Sequence, residues 1–232
     1  MSDLLVAAPL RLEALAIKAG GRKLRIQKTG MGPARSHAAI PRLRSDPAAA
    51  LAVMGVCGGL DDHCEPGDVV VADELLDGER DDPSNITGVG RSSRALDAGQ
   101  PVRLACPSAG PLAEALQRRG ISVRKAAVVS VAHIAHGEKR VELRERGGVV
   151  VDMESAWLAG GAQGRPFAVI RVVADTPSRS TEASWRSRRP SMWIAHAKYG
   201  LGLKSASLRS RRIALVHRYT KRLRLISSAA IT

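Results

Sequence analysis

The 232-residue sequence lacks the features that mark membrane and secreted proteins. No apolar run approaches the roughly 18–20 residues that a membrane-spanning helix needs. The first residues carry no basic segment followed by an apolar one, so they predict a first β-strand rather than a signal peptide. Three cysteines without CxxC spacing argue against a disulfide framework and favour a reducing compartment. We therefore expect a cytoplasmic protein.

Acidic residues are missing from the end of the chain. None follows Glu182, whereas residues 183–232 hold twelve basic residues and four of the six aromatic ones. Residues 1–182 are nearly neutral, with 24 basic and 22 acidic side chains. This change in composition predicts a domain over residues 1–180, followed by an irregular basic tail over residues 181–232.

Three interpretations of the basic tail are open. Its positive charges and interleaved aromatics suit a nucleic-acid-binding extension with salt-dependent phosphate contacts. They also suit a segment attracted to an anionic membrane surface. Alternatively, the tail is disordered or translated outside the natural reading frame. The abrupt loss of acids, the rise in Arg and Ser and the lost periodicity favour this last interpretation.

Familiar catalytic motifs are also missing, because the sequence contains no GxSxG, P-loop or HExxH pattern. His133 and His136 are three residues apart, but the pattern favours a loop pair over a metal site. We therefore predict no metal and no cofactor. What the body does contain is a regular alternation of short apolar runs and helical periods, which predicts a layered α/β domain.

Two carboxylates each follow a strongly apolar run: Glu154 in the segment 151–156 and Asp175 in the segment 171–177. Two strands that end in this way can present both acids to one cleft. Taken alone, each acid has a simpler structural role, since Glu154 suits a helix N-terminus and Asp175 an Asx-type turn. A helix is predicted over 10–19, with Leu12, Leu15 and Ala16 on its apolar face. Glu13 in this helix suits a solvated surface.

Glycines punctuate two other strand ends. Gly30 and Gly32 follow a predicted strand over 24–28, and Gly58 and Gly59 follow an apolar run over 48–56. Backbone N–H groups at such places can hold an anion or a polar ligand at close approach. A plain turn explains each pair equally well.

Taken in order, these segments resemble the purine and uridine phosphorylase superfamily. The likeness rests on Thr29-Gly-Met-Gly-Pro-Ala-Arg, Gly55-Val-Cys-Gly-Gly-Leu with Pro66-Gly-Asp-Val-Val-Val, and Val151-Asp-Met-Glu-Ser. It favours the nucleosidase branch, which includes the methylthioadenosine/adenosylhomocysteine nucleosidases, and within it the hopanoid-associated nucleosidases. It covers about residues 4–179. It implies a three-layer α/β/α domain with a central mixed sheet, and a homo-oligomer.

The resemblance also implies roles for the residues that match its motifs. The substrate would be a purine nucleoside, with adenine as the base and a hopanoid-linked ribose as one expectation. Asp175 would protonate the purine, which requires a raised pKa that the preceding apolar run could help to provide. Glu13 would activate water. The substrate-binding residues would be Met153, Glu154, Gly32, Gly58 and Gly59, with residues 131–134 near the purine.

Hydrolysis and phosphorolysis both remain open under this resemblance. A carboxylate at Glu13 would repel phosphate and favours water as the nucleophile, whereas Arg35 could bind phosphate as a co-substrate. We favour hydrolysis. Two departures from the family pattern stand out: Ala174 replaces a common Ser before the acid, and no terminal amphipathic helix is visible after Ser178. A third alternative is therefore an inactive homologue whose tail binds nucleic acid or membrane.

Overall fold

The computed structural model describes residues 3–20, 24–79 and 102–177, together with residues 221–222 and 225–226. Within the first three ranges the strands are β1 (Leu4–Ala8), β2 (Arg25–Lys28), β3 (Ala50–Gly59), β4 (Val69–Asp77), β5 (Val102–Ala105), β6 (Val123–Ser130), β7 (Val150–Asp152) and β8 (Phe167–Asp175). The α-helices are α1 (Arg11–Lys18), α2 (Pro33–Ser45), α3 (Ala109–Gln117), α4 (Glu138–Glu145) and α5 (Ser155–Leu158). A 3₁₀ turn over Ala159–Gly161 follows α5.

The strands form one mixed sheet in the order β2-β1-β3-β7-β6-β4-β5, and β8 pairs with both β3 and β4. Strand β3 runs parallel to β1 and β8 but antiparallel to β7. The predicted α/β domain with a central mixed sheet is therefore confirmed. Because β8 joins β3 to β4, the strands β3, β7, β6, β4 and β8 close into a ring, which the sequence pattern did not indicate.

A β-bulge near the end of β8 sets the position of its last residue. Cys57 of β3 pairs with Val173, and the next residue of β3, Gly58, pairs with Asp175. Ala174 is therefore the extra residue on β8. Such a bulge redirects the side chain that follows it, and here it places Asp175 opposite a residue without a side chain.

Helix α1 differs from its prediction in the face that it buries. The sequence pattern predicted a face of Leu12, Leu15 and Ala16, but Leu15 is 53% exposed. The buried residues are Glu13, Ala16 and Ile17. The pattern failed because Glu13 is polar by type yet finds backbone donors inside the protein.

Other elements differ from prediction mainly at their ends. The sequence predicts the start of a helix over 34–40 with Pro33 in its first turn. Pro33 lies there, but α2 continues to Ser45 with Pro41 inside it. The polar composition of residues 77–94 predicts a loop, of which residues 80–94 lie outside the described residues. Asp77 is instead the last residue of β4, where it is buried and accepts a hydrogen bond from the Trp157 indole at 3.1 Å. Strand β5 was not predicted.

The few described residues of the basic tail are helical. Residues 221–222 and 225–226 lie in helix, although the sequence showed no helical period there. Ile226 is fully buried and belongs to the main hydrophobic core. The rest of the predicted tail lies outside the described residues. Among the residues that the structure describes, no helix is long and apolar enough to cross a membrane.

Candidate active site

A buried ionic cluster surrounds Arg171, which lies in the middle of β8 and is fully buried. Its Nη2 lies 2.6 Å from Asp152 Oδ2 and 3.4 Å from Glu154 Oε2. The same nitrogen donates to Ser155 Oγ at 2.8 Å. Strand β7 ends at Asp152 and α5 begins at Ser155, so one strand-to-helix turn supplies all three of these partners of Nη2.

Asp152 organises that turn through its own hydrogen bonds. Its Oδ1 accepts from Ser130 Oγ at 2.6 Å and from the backbone N–H of Glu154 at 3.1 Å. Its Oδ2 accepts a short bond from Ser155 Oγ. Ser130 Oγ in turn accepts from the N–H of Ala156 at 2.9 Å. Asp152 therefore fixes both Arg171 and the start of α5.

Glu154 lies at the junction of this cluster and the glycine turn after β2. Its Oε1 accepts from the N–H of Gly32 at 3.3 Å, and Gly32 has a φ of 86°, which favours glycine. Burial raises the pKa of Glu154 to about 8, with Arg171 acting against the shift and Asp152 and Glu13 adding to it. A carboxyl group in this state exchanges its proton near neutral pH.

Glu13 is also buried, with 3% of its surface exposed. Its two oxygens accept from backbone N–H groups, Oε2 from Leu10 at 2.6 Å and Oε1 from Val56 at 2.8 Å. Burial raises the pKa of Glu13, while Arg171 and the two N–H groups oppose the shift. A Cβ placed on Gly55 would lie 2.6 Å from both Glu13 Oε1 and Arg171 Nη1. Glycine at position 55 thus leaves room for these two side chains.

Asp175 is the last residue of β8 and pairs with Gly58 of β3. Its Oδ2 accepts from Arg140 Nη2 at 2.7 Å, and its side chain is 30% exposed. A Cβ on Gly58 would lie 3.0 Å from Asp175 Oδ1. The sequence predicted apolar surroundings for this acid, whereas the structure pairs it with a buried arginine.

The two acids thus approach one strand at different points. Glu13 touches β3 at Gly55 and Val56, and Asp175 approaches it at Gly58. A strand rises about 3.3 Å per residue, so roughly 10 Å of β3 separates Gly55 from Gly58.

The other predicted site residues differ in their surroundings. Met153 is half-buried beside Glu154. Arg35 is exposed on α2, and its Cδ packs so close to Gly30 that a Cβ there would lie 2.7 Å away. A Cβ on Gly59 would lie 2.9 Å from Cys64 Cβ, so this glycine serves close packing.

Three participants carried no assigned role in the sequence analysis: Arg171, Asp152 and Arg140. A signal existed for Arg171, because a lone arginine inside the apolar run of β8 must be paired when buried. Arg140 gave no signal. Helix α4 is rich in charged residues, so the sequence does not distinguish the buried Arg140 from its charged neighbours.

Metal-binding geometry does not occur among the described residues, since no group of three or more His, Cys, Asp or Glu side chains could hold an ion. His133 and His136 are both exposed. The three cysteines, at positions 57, 64 and 106, are buried and free.

Comparisons with known proteins extend this description. The sequence matches the family model described as "Phosphorylase superfamily" over residues 7–194. A search of curated proteins finds no match. Among solved structures, futalosine hydrolase of Helicobacter pylori strain 26695 is similar with a TM-score of 0.67 at 15% identity, covering 98% of this chain and 96% of that one.

Two further structures are similar over nearly the same extent. The S-adenosylhomocysteine nucleosidase from Streptococcus pyogenes, in complex with 5-methylthiotubericidin, has a TM-score of 0.65 at 18% identity, covering 97% of this chain and 95% of that one. The 5′-methylthioadenosine/S-adenosylhomocysteine nucleosidase from Helicobacter pylori, with butyl-thio-DADMe-Immucillin-A, has a TM-score of 0.67 at 16% identity and covers 97% of both chains. At these identities the similarity establishes the fold.

Proposed function

The chain belongs to the phosphorylase superfamily, and from this premise we propose that it hydrolyses the N-glycosidic bond of a purine nucleoside. The observation that carries the proposal is the buried carboxyl group of Glu13, which accepts from the Val56 N–H of β3 next to the Arg171–Glu154 pair. The similar structures whose names specify a nucleosidase or a hydrolase support the same reaction class.

Hydrolysis is favoured over phosphorolysis by the charges around Glu13. Arg171 is already paired with Asp152 and Glu154, so this buried cation is compensated. An incoming phosphate would meet the carboxyl groups of Glu13 and Glu154 without a free positive partner among the described buried residues. Water carries no charge and meets no such repulsion. Arg35, the alternative phosphate ligand, is exposed and retains a role only under phosphorolysis.

The reaction can be written with named groups at each end. The bond between C1′ and the purine nitrogen breaks with its electron pair moving to the base, which takes a proton from Asp175. Water attacks C1′ and gives its proton to Glu13. Glu154 accepts hydrogen bonds from the ribose hydroxyls, and positive charge developing on the sugar favours its ionised form. Solvent then restores both acids to their starting protonation states.

The substrate's finer identity belongs to the same proposal. We take adenine as the base, Met153 as the residue that packs on the sugar, and Gly32, Gly58 and Gly59 as backbone contacts. A hopanoid substituent on the ribose is the most specific form of the proposal, and it rests on the sequence resemblance. Purified protein incubated with 5′-substituted adenosines of increasing apolar length would measure this preference through kcat/KM.

Glu13 provides the decisive test of the reaction type. The parent should release adenine from an adenosine-type nucleoside without phosphate. Glu13→Gln should lower kcat by about 10²-fold or more, since a positioned base contributes 10²–10⁴-fold. Glu114→Gln, on the exposed face of α3 with a side chain 71% exposed, is the matched control and should keep parental activity. Adenine release only in the presence of phosphate would overturn hydrolysis.

Assembly and location are further parts of the proposal. We take the protein to be a cytoplasmic homo-oligomer, supported by the exposed large apolar side chains of Leu15, Ile134, Val141 and Leu225. Light scattering of the purified chain would measure its mass, and a monomer at micromolar concentration would contradict this part. The tail alternatives also remain proposals, and salt-sensitive binding to nucleic acid or anionic vesicles would test them.

A further inference from the structure

Arg140 is a buried arginine whose three nitrogens are all engaged. It is 5% exposed. Its Nε donates to the Ala135 carbonyl at 3.0 Å and its Nη1 to the Gly59 carbonyl at 3.1 Å. Its Nη2 donates to Asp175 Oδ2 at 2.7 Å. One side chain on α4 therefore joins the loop before that helix to the ends of β3 and β8.

Gly58 leaves space for the pair formed by Arg140 and Asp175. A Cβ on Gly58 would lie 3.0 Å from Asp175 Oδ1 and 3.1 Å from Arg140 Nη2, closer than most Cβ contacts. Glycine at position 58 thus permits the guanidinium to reach the carboxylate across β3. The bulge at Ala174 brings Asp175 to the same point.

The two partners face different environments. The Arg140 side chain is 6% exposed, whereas that of Asp175 is 30% exposed. The arginine is therefore the buried partner of this pair, and the acid is the more accessible one. Because Arg140 donates to Oδ2, the other oxygen, Oδ1, is the one that this arginine leaves for a different partner.

An arginine is needed for this arrangement. Its planar group makes three hydrogen bonds in fixed directions, to two backbone carbonyls and one carboxylate, and a lysine ammonium cannot reproduce that fork from one nitrogen. A buried charge of this kind is costly unless it is paired. Fixed carbonyl contacts on two sides orient the third contact toward Asp175.

We propose that Arg140 is a positioning residue that holds Asp175 Oδ1 against the purine and stabilises the carboxylate formed when Asp175 gives up its proton. This inference rests on the proposed function, since it assigns a positioning residue to Asp175, the acid of the proposed reaction. The proton moves from Asp175 to the base while the electron pair of the glycosidic bond also moves to the base. Arg140 donates hydrogen bonds throughout and neither gains nor loses a proton.

The test compares two leaving groups in the full-length protein. Adenosine needs a proton on its base, whereas the 4-nitrophenolate of 4-nitrophenyl β-D-riboside leaves without one. Arg140→Met should lower kcat on adenosine by about 10²-fold, with KM changed less than threefold. The same variant should keep the rate on the aryl riboside within about threefold. Arg140→Lys should restore part of the adenosine rate.

A double variant and a matched control complete the test. If Arg140 acts through Asp175, then Arg140→Met should add little to the loss already caused by Asp175→Asn. Arg25→Met removes another partly buried ion pair, at 2.8 Å to Asp46, and should leave both rates near parental values.

The outcomes separate this inference from the proposed function. No turnover of any nucleoside by the parent would overturn the proposed function, and the inference with it. If the parent is active, three results would overturn the inference alone. Arg140→Met could keep the parental rate on adenosine, or lose the rates on both substrates equally. Its full loss of rate could also add to the loss caused by Asp175→Asn. Equal loss on both substrates would indicate a structural role.

Discussion

Three buried carboxyl groups share one arginine in the cluster around Arg171. Asp152 forms the short pair with it, at 2.6 Å, while Glu154 lies at 3.4 Å. Glu13 shares the space above Gly55 with the same guanidinium. If all three acids were ionised, the cluster would hold a net negative charge in a buried part of the protein. A proton on Glu154 relieves part of that charge, in agreement with the raised pKa of this group.

The raised pKa of Glu154 predicts a pH-dependent stability. In the unfolded chain this group titrates near 4.5, and in the folded protein near 8. Between these values the folded state holds more protons, so its stability falls as pH rises. From about pH 5 to pH 8, we expect the free energy of unfolding of the parent to fall by on the order of 2–4 kcal/mol more than that of Glu154→Gln.

Urea unfolding of the parent and of Glu154→Gln at pH 5 and pH 8 measures how the free energy of unfolding changes with pH. A destabilisation by the substitution that is equal at both pH values does not affect this comparison. Glu114→Gln, at an exposed site, should retain the parental slope. Parallel pH profiles for the parent and Glu154→Gln would contradict the prediction.

At the scale of elements, strand β3 connects the two ends of the candidate site. Gly55 admits Glu13 and Arg171, and Gly58 admits Asp175 and Arg140. Its neighbour β8 supplies both Arg171 and Asp175, and the bulge between them sets the spacing. The site therefore depends on two adjacent strands as much as on the side chains that they carry.

Gly55→Ala tests the dependence on β3. The added Cβ would lie 2.6 Å from Glu13 Oε1 and Arg171 Nη1, so both must shift. We expect kcat/KM to fall by about 10²-fold, because small displacements of positioned groups have effects of this size. Overpacking should also lower the free energy of unfolding by about 1–3 kcal/mol.

Gly110→Ala is the matched control, since a Cβ at that position in α3 would meet nothing within 4 Å. Alanine in a helix is more stable than glycine by about 0.5–1 kcal/mol, so this variant should keep its activity and gain slightly in stability. Parental kcat/KM in Gly55→Ala would show that the contact is not needed.

Comparison of these elements with the sequence shows where prediction succeeds. Short apolar runs identified β1, β3 and β8, because buried strands need continuous apolar sequence. The strand β5 was missed, and so was the closure of the ring by β8, because pairing between distant strands leaves no local pattern. Glu13 was expected on the surface from its helix, since residue type alone does not reveal that Leu10 and Val56 offer it backbone donors.

At the scale of the whole molecule, the end of the chain contributes to the core. Ile226 is fully buried with the main cluster, although it lies in a segment whose composition differs from that of the body. The family match extends to residue 194, and the similar structures cover 97–98% of this chain. The domain boundary at residue 180 remains a prediction.

Ile226→Ala tests this contribution. Removing a buried Ile side chain costs about 2–5 kcal/mol, which denaturant unfolding can measure. Leu225→Ala is the neighbouring control, because Leu225 is 42% exposed and its loss should cost about 0.5 kcal/mol or less. Equal, small effects of both substitutions would contradict a structural role for this end of the chain.

The sequence by itself determined the fold class, the family resemblance and the identity of Glu13, Glu154 and Asp175 as candidate groups, since strand and motif patterns are local. Only the tertiary structure decided their partners. It buried Glu13 against β3, assigned Arg171 to Glu154 and Asp152, and paired Arg140 with Asp175. The physical reason is that burial and charge pairing arise between residues far apart in sequence, where no local pattern records which cation meets which acid.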